Sequence, residues 1–250
     1  MPPFPLPDWL VALLTEGAEV RDLGGGLGSF LPAEAAPGGY DGFAPVYDAV
    51  VSNRLYNAIF WGAPPAAHRE FAGRALAMAP LGTVLDCPCG SLLFTAPLHP
   101  PEERHHLLLV DRSAAMLRRG RRRLRGDRRL SRACLLQGDL FHLPLRPASL
   151  AAVMSFGGLH VLGDRARVVS TLWDLVRPGG HLFLSSLIAG ERPAGDWLLA
   201  RLHRAGQVAE PFGRDALRAV LPPAATVDVR GSWAFVTATK KASASPGRMS

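Results

Sequence analysis

Two acidic residues, each at the end of a predicted β-strand, are the residues of this 250-residue chain best placed to do chemistry. Asp86 ends the apolar run TVLD and precedes a tight, small-residue loop, Cys87 to Ser91, after which a helix begins. Asp111 ends the next apolar run, twenty-one residues after Gly90. A short strand-to-helix loop brings backbone N–H groups close to a ligand, and an acid after the second strand can accept hydrogen bonds from ribose hydroxyls. The pattern predicts a site for a nucleoside-containing cofactor.

A parallel sheet is needed to bring these strand ends together. Short apolar runs separated by helix-like segments lie at 83–86, 106–111, 133–137, 150–155 and 181–187. Runs that are apolar on both faces and alternate with helices predict an α/β fold whose mostly parallel sheet is covered on both sides. In such sheets ligands bind beyond the carboxyl ends of the strands. Later elements are predicted from their end signals: a helix at 164–177 capped by Asp164 and stopped by Pro178-Gly179-Gly180, helices near 195–205 and 213–221, and a hairpin at 226–239.

Four segments, in this order and spacing, resemble class I S-adenosylmethionine-dependent methyltransferases, and look closest to the subgroup that includes quinone and sterol methyltransferases. They read TVLDCPCGSLLFTAPL, LLLVDRSAAML, LLQGDLFHLPLRPASLAAVMSFGGLHVL and LWDLVRPGGHLFLS. Upstream, DGFAPVYDAVVSNRLYNAIFWG resembles the helix with which that subgroup covers its cofactor. The resemblance covers roughly residues 41–239. It implies a Rossmann-like, seven-stranded methyltransferase sheet, mostly parallel with a C-terminal antiparallel hairpin, plus an N-terminal helical cover.

The same resemblance implies S-adenosylmethionine as the cofactor and assigns residues to it. Asp86 and the turn of Pro88, Cys89 and Gly90 would hold its amino-acid end, and Asp111, with Arg112 beside it, would bind the ribose hydroxyls. The remaining assignments are Met116 near the adenine face, Asp139 at the adenine amino group with Leu140 beside it, Phe156 in the pocket wall, and Tyr47 closing over the cofactor.

One loop residue departs from the family pattern. Members usually place glycine at three alternating positions, which are Pro88, Gly90 and Leu92 here. Proline suits a turn because its φ is fixed, but the Leu92 side chain is expected to narrow the space for the cofactor. A non-catalytic scaffold with weakened cofactor binding is therefore an alternative. A nicotinamide dinucleotide is disfavoured, because the stretch keeps one glycine of the three in G-x-G-x-x-G.

A candidate catalytic residue follows the fourth predicted strand, and candidate acceptor-binding residues lie in the predicted helical cover. His160 could act as a general base, and the competing interpretation is that it caps a loop or packs. Tyr56 and Trp61 could face the acceptor or pack in the core, whereas Phe60 is expected to pack.

The cysteines and neighbouring histidines do not have metal-ligand spacing. Cys87 and Cys89 are one residue apart, unlike a C-x-x-C pair, and are expected to pack as small residues, as is Cys134. The histidines His99, His105 and His106 are expected at the surface, and no metal is predicted. Three cysteines also make a disulfide framework improbable and favour a reducing cytoplasm.

The formal charge of +7 comes from one segment. Residues 118–132 hold nine arginines and one aspartate, which exceeds the whole surplus. The segment is either a solvated helix face, which is favoured, or an anchor for RNA, phosphate or anionic lipid. No run of about eighteen apolar residues is present, so no membrane span is predicted. The acidic start also lacks the basic region of a secretory signal.

These observations predict four regions: a flexible segment at 1–45, a helical cover at 46–80, a methyltransferase domain at 81–239, and a disordered tail at 240–250. The flexible segment holds fifteen Gly or Pro residues around one short helix, roughly Asp8 to Leu14. The function predicted is methylation of a small apolar or aromatic molecule. The alternatives are the scaffold and an RNA methyltransferase anchored by the arginine-rich helix.

Overall fold

The apolar runs form the parallel centre of one sheet in the computed structural model, which describes residues 4–34, 48, 50–98, 105–124 and 132–242. The spatial order is β1-β2-β5-β4-β3-β6-β7-β9-β8. From β2 to β7 each neighbouring pair is parallel, whereas β1 pairs antiparallel with β2 and the pairs β7–β9 and β8–β9 are also antiparallel. The strands are β1 (Arg21–Asp22), β2 (Gly28–Ser29), β3 (Gly82–Asp86), β4 (His105–Asp111), β5 (Ala133–Gln137), β6 (Leu150–Phe156), β7 (Val176–Leu187), β8 (Thr226–Arg230) and β9 (Trp233–Thr239).

Helices cover both faces of this sheet. They are α1 (Asp8–Val11), α2 (Arg54–Tyr56), α3 (Pro65–Met78), α4 (Ala114–Arg123), α5 (Leu159–Leu162), α6 (Arg165–Leu175), α7 (Pro193–Arg204) and α8 (Arg214–Val220). Alternate strand residues enter separate apolar clusters, with Leu85 and Val153 on one face and Val84 and Met154 on the other. The predicted α/β class, with its mostly parallel sheet and C-terminal hairpin, is confirmed. The strand order reverses at β3, between β4 and β6, which is where open α/β sheets bind ligands.

Two boundaries differ from the sequence expectation. Asp164 caps helix α6 as predicted, because its side chain accepts a hydrogen bond from the Arg167 N–H. The helix ends at Leu175, however, and not at residue 177. Val176 is already extended and pairs with Leu150, so β7 begins before the Pro-Gly-Gly sequence rather than after it. Among the described residues the sheet has nine strands instead of seven, because β1 and β2 extend it beyond β5.

The described N-terminal residues pack closely, in contrast to the loose loops expected from their glycine and proline content. Phe4, Leu10 and Leu14 are buried in the core, and β2 pairs in parallel with β5. The short helix is Asp8–Val11, shorter than predicted. The rest of the predicted flexible segment (35–45) and the predicted disordered tail from 243 onward lie outside the described residues.

The prediction of surface histidines next to β4 was wrong for His105. This residue begins the strand and is buried, and the following His106 is half-buried. The His106 ring stacks on Trp9 of the N-terminal segment, with ring centroids 4.7 Å apart. The N-terminal segment thus covers a strand that looked exposed in the sequence. His99 lies outside the described residues.

The described part of the segment 46–80, predicted to be a helical cover, contains two helical pieces. Asn53 caps α2 by accepting a hydrogen bond from the Tyr56 N–H at 2.9 Å, and the helix continues as a π-helical turn over Asn57–Trp61. Gly62, at φ 66°, ends this turn, and α3 then runs to Met78. No helix in the described part of the chain is long and apolar enough to cross a bilayer.

Candidate active site

One cavity of about 260 Å³ lies at the carboxyl ends of β3, β4 and β6. Most of the residues predicted to hold a cofactor line it: Asp86, Pro88, Cys89, Gly90, Asp111, Arg112, Met116 and Phe156. The sequence prediction missed ten further lining residues, which lie next to these along the same loops: Ser91, Leu92 (expected only as an obstruction), Leu93, Phe94, Thr95, Ser113, Gly157, Gly158, Val161 and Leu162. Their signal was available, since they all follow predicted strand ends.

Asp111 ties the first loop to the helix after the second strand. One of its carboxylate oxygens accepts the backbone N–H of Gly90 at 2.7 Å, and the other accepts that of Ser113 at 2.8 Å. Gly90 reaches this position at φ 55°, a left-handed conformation that glycine adopts readily. The carboxylate is therefore held rigidly at the cavity, and each oxygen can accept more than one hydrogen bond.

Asp86 is a buried acid in the cavity wall. It is 2% exposed, and its Oδ2 has no hydrogen-bond partner within the described part of the chain. Burial raises the pKa of this carboxyl to about 8, and the negative charge of Asp111 adds to the rise. A buried carboxylate with an unused oxygen is suited to a cationic ligand group, whose charge would compensate the cost of ionisation.

Leu92 occupies the position where the resembled family usually has glycine, and it keeps the backbone conformation of a glycine, with φ 57°. Its side chain is buried against Gly120 of α4: a Cβ built on Gly120 would lie 3.0 Å from Leu92 Cγ. Although Leu92 still lines the cavity, much of its bulk is accommodated by the missing side chain of Gly120.

This fit predicts strong coupling between the two positions. Gly120→Ala will destabilise the native chain by about 1 kcal/mol, because overpacking against Leu92 outweighs the better helix propensity of alanine. In a Leu92→Ala background the same change will be stabilising, because the clash is gone and only the helix propensity remains. Urea unfolding of the four proteins measures the coupling, and additive effects would contradict this packing.

Asp48 links the N-terminal cover to the cavity loop. Its Oδ2 accepts hydrogen bonds from Arg119 and Arg123 of α4, both at 2.8 Å, and its Oδ1 accepts the Ser91 hydroxyl. Arg123 also donates to the Ser91 carbonyl at 2.6 Å. Burial alone would raise the pKa of Asp48, but the hydrogen bonds from Arg123, Ser91 and Arg119 outweigh it, so the pKa is lowered. We call this group the Asp48 clamp.

The clamp gives part of the arginine-rich segment an internal role. Arg119 and Arg123 are one helical turn apart and both pair with Asp48, although Arg123, like Arg118 and Arg122, is an exposed residue. The favoured interpretation, a fully solvated helix face, therefore applies to only some of the described arginines. Residues 125–131 of the run lie outside the described part of the chain.

Asp139 and Leu140, predicted at the adenine amino group, are not among the residues that line the cavity, whereas Met116, predicted at the adenine face, is. Asp139 forms an ion pair with Arg112 at 2.8 Å and accepts the Phe141 N–H at 3.0 Å, so it caps the short 3₁₀ helix Leu140–His142. Leu140 is buried in the core beneath it. Arg112 itself does line the cavity and connects Asp139 to it. Tyr47, predicted to close over the cofactor, lies outside the described residues.

His160 is placed to donate a hydrogen bond rather than to accept a proton. Its Nδ1 accepts the Leu187 backbone N–H at 3.2 Å, which assigns the proton of the neutral ring to Nε2. Burial lowers the pKa of this histidine to about 4, so the neutral form prevails. The geometry therefore favours packing and donation over the general-base interpretation, and His160 is not among the residues that line the cavity.

The predicted acceptor-binding aromatics also lie outside the cavity lining. Trp61 is 3% exposed and belongs to the core, so packing is the better description of it. Tyr56 lies edge-on to Trp61 with centroids 6.0 Å apart. Phe60, expected in the core, is half-buried and stacks on Trp197 at 6.4 Å.

The three cysteines are free and buried, as expected for packing residues. Burial raises the thiol pKa of Cys134 to about 12 and those of Cys87 and Cys89 well above their ordinary range. They therefore stay as thiols at neutral pH. Among the described residues no group of three or more His, Cys, Asp or Glu side chains could hold a metal ion.

Comparison with known proteins agrees with this arrangement. A family model described as a methyltransferase domain matches residues 84–180. A demethylmenaquinone methyltransferase of Lactiplantibacillus plantarum is 28% identical over 57% of this chain and 58% of its own length. An uncharacterized methyltransferase of Mycobacterium tuberculosis is 34% identical over 49% of this chain and 60% of its own length. The chain thus spans about three fifths of the length of these curated relatives.

Solved structures share the fold at low sequence identity. The geranyl diphosphate C-methyltransferase of Streptomyces coelicolor, solved with S-adenosyl-L-homocysteine, has a TM-score of 0.55 at 16% identity and covers 69% of this chain and 74% of its own. A Haemonchus contortus N-methyltransferase, also solved with S-adenosylhomocysteine, has a TM-score of 0.63 at 13% identity over 80% of this chain and 57% of its own. A methyltransferase domain model thus matches residues 84–180 of a chain that has the same fold as these solved methyltransferases.

Proposed function

We propose that the chain is an S-adenosylmethionine-dependent methyltransferase that acts on a small apolar or aromatic molecule. The observation that carries the proposal is Asp86, a buried acid whose Oδ2 lies without a partner from the described residues in a cavity at the ends of β3, β4 and β6. The ammonium group of an amino-acid-bearing cofactor matches that oxygen in charge and in hydrogen bonding. The family domain at 84–180 supports the same cofactor.

When bound, the cofactor supplies an electrophilic methyl group on sulfur. The chain's residues contribute orientation and exclusion of water, which such a displacement needs most. Asp86 would hold the ammonium group, and Asp111, fixed by two backbone N–H groups, would hold the ribose hydroxyls. Met116 and Phe156 provide apolar wall. The relative named as a demethylmenaquinone methyltransferase supports the proposal of a small apolar or aromatic acceptor.

Two observations lower the weight of the alternatives. The scaffold hypothesis rests on Leu92, yet that side chain packs against Gly120. The RNA hypothesis rests on the arginine run, yet two of its arginines are engaged by the buried carboxylate of Asp48. The three buried free cysteines support the further proposal of a reducing, cytoplasmic location.

Binding of S-adenosylhomocysteine tests the cofactor part of the proposal, and tight binding would contradict the weakened cofactor binding on which the scaffold hypothesis rests. At a hundredfold over Kd the ligand should stabilise the native chain by about 2.7 kcal/mol, or about 5–10 °C in Tm. Differential scanning fluorimetry with adenosine as the control ligand measures the shift. Adenosine lacks the ammonium group that Asp86 would hold, so its shift should be much smaller. No shift with millimolar S-adenosylhomocysteine would contradict the proposed function.

A further inference from the structure

A second group of buried polar atoms lies beside the cofactor cavity and has no role so far. His68 of α3 is 4% exposed, and neither of its ring nitrogens has a hydrogen-bond partner in the described part of the chain. Trp233, at the start of β9, is 8% exposed, and its indole Nε1 is equally unpartnered there. The two rings meet edge to face with centroids 4.3 Å apart. Buried polar groups without hydrogen bonds destabilise a folded protein, so their retention needs a reason.

The walls around these atoms are aromatic and uncharged. The His68 ring stacks on Phe94 at 4.9 Å and meets Phe235 edge-on at 5.2 Å. Burial lowers the pKa of His68 to about 3, so this ring is neutral at physiological pH. His160, whose pKa is also lowered, lies 5.5 Å from Trp233 between ring centroids. The guanidinium of Arg230 lies 5.9 Å from the centroid of Phe235, but it is already paired with the carboxylates of Glu70 and Asp228.

The group lies on the same face of the sheet as the cofactor cavity. Phe156 of β6 pairs in register with Ser185 of β7, which in turn pairs with Phe235 of β9. Register partners on adjacent strands share a face. The hydroxyl of Ser185 is also buried and unpartnered among the described residues. The row therefore runs from the cavity wall at Phe156 toward the rings around His68.

Phe94 lies between the cavity and His68. It lines the cavity, stacks on the His68 ring, and is half-buried. Phe94 is therefore the side chain past which a ligand in the cavity would approach the unpartnered nitrogens.

We infer that His68 and Trp233 form the hydrogen-bonding subsite for the methyl acceptor, reached past Phe94, and that the acceptor is an uncharged aromatic compound with a hydroxyl group. A hydroxyl oxygen can accept the Trp233 Nε1–H while its proton is donated to the unprotonated nitrogen of His68. A carboxylate could not donate, and it would be buried without a cation. This inference rests on the proposed function and defines the substrate class of the same site.

The test compares three bicyclic probes on protein saturated with S-adenosylhomocysteine at pH 7. We expect 2-naphthol to bind at least about tenfold more tightly than naphthalene or 2-naphthoate, as judged by isothermal titration calorimetry. His68→Phe and Trp233→Phe keep a ring but remove the polar atoms, and each should lower 2-naphthol affinity by about tenfold. His203→Phe, at an exposed position of α7, is the matched control and should change nothing.

The Tm of the ligand-free His68→Phe variant is a second measurement. It should rise if His68 is a ligand-binding residue and fall if His68 has a structural role. His68→Phe should raise the Tm of the ligand-free protein by about 2–4 °C, because unsatisfied buried nitrogens are removed. A lowered Tm or a failure to fold would make His68 a structural residue and overturn the inference. Equal 2-naphthol binding by wild type and His68→Phe would overturn it too, as would absent 2-naphthol binding while S-adenosylhomocysteine binds normally. If S-adenosylhomocysteine itself fails to bind wild type, the proposed function fails, and this inference fails with it.

Discussion

Asp86→Asn will weaken S-adenosylhomocysteine binding by about a hundredfold or more at pH 7.5, because removing one partner of a buried charge pair costs about 2–5 kcal/mol. Asparagine keeps the size of the side chain and loses its charge. The ammonium group of the ligand would then enter the cavity without a counter-ion. Isothermal titration calorimetry of the two proteins measures the difference. Asp228→Asn, at an exposed carboxylate of β8, is the control and should bind normally.

The pH dependence of binding identifies Asp86 more specifically. In the free protein the pKa of this carboxyl is about 8, so at pH 6.5 it is mostly protonated. Pairing with an ammonium group favours the carboxylate, so binding releases a proton. Affinity should therefore rise by up to about tenfold per unit between pH 6 and 7.5, where the ligand ammonium stays charged. In Asp86→Asn the affinity should be low and independent of pH over this range.

The raised pKa of Asp86 also predicts that the ligand-free protein loses stability as the pH rises, whereas ligand affinity increases. The pKa of this carboxyl is raised in the folded state, so the folded protein holds a proton that the unfolded chain loses near pH 4. The stability contributed by the neutral carboxyl is fully present below that pH and is lost as the pH rises through about 8. Ligand-free Asp86→Asn should therefore be more stable than wild type at pH 8, and the difference should disappear near pH 4. A variant that is less stable at pH 8 would contradict the raised pKa of this buried carboxyl.

The residues that line the cavity at the strand ends were predictable because their signals are local. Asp86, Gly90 and Asp111 each sit at a strand end, and the alternation of apolar runs with helices fixes which ends meet. The hydrogen bond between Gly90 and Asp111 follows from two adjacent parallel strands. The hairpin at β8 and β9 was predictable for the same reason, since its strands and turn are consecutive in the chain.

The features that the sequence did not predict depend on contacts between segments that are far apart in the chain. Leu92 looked like an obstruction, because the sequence does not show that its side chain turns toward Gly120. His68 lies among helically spaced apolar residues of α3 and reads as core, and its missing hydrogen bonds appear only when Trp233 and Phe94 are placed around it. The N-terminal segment was misjudged because glycine and proline content does not reveal that Leu10 and Leu14 reach the core.

Arg119→Ala and Arg123→Ala will each destabilise the protein, whereas Arg118→Ala and Arg122→Ala will not. All four changes replace arginine by alanine on α4, so helix propensity is matched. Arg119 and Arg123 neutralise Asp48, which is 6% exposed, and removing either weakens the compensation of a buried charge. Breaking such a pair costs about 3–5 kcal/mol when it is fully buried. Because the two arginine side chains are 25% and 29% exposed, we expect about 1–2 kcal/mol for each.

Asp48→Asn tests the clamp from its other side. The pKa of Asp48 is lowered in the folded protein, so the stability it contributes is present above pH 4 and is lost as the pH falls through the folded pKa. Asp48→Asn should therefore be less stable than wild type at pH 7, with the gap closing at acid pH. Because Ser91 lies in the cavity wall and donates to Asp48, the variant should also bind S-adenosylhomocysteine several-fold more weakly.

A double-mutant cycle decides whether Asp48 and the arginines act as one unit. Asp48→Asn combined with Arg119→Ala should cost less than the sum of the two single changes, since both remove the same interaction. Urea unfolding at pH 7 gives the four free energies of unfolding. Additive losses, or equal losses at all four arginine positions, would contradict the clamp and return the whole run to a solvated helix face. Losses at Arg119 and Arg123 that are not additive with Asp48→Asn would instead show that α4 holds the segment around Asp48 against the cavity loop at Ser91.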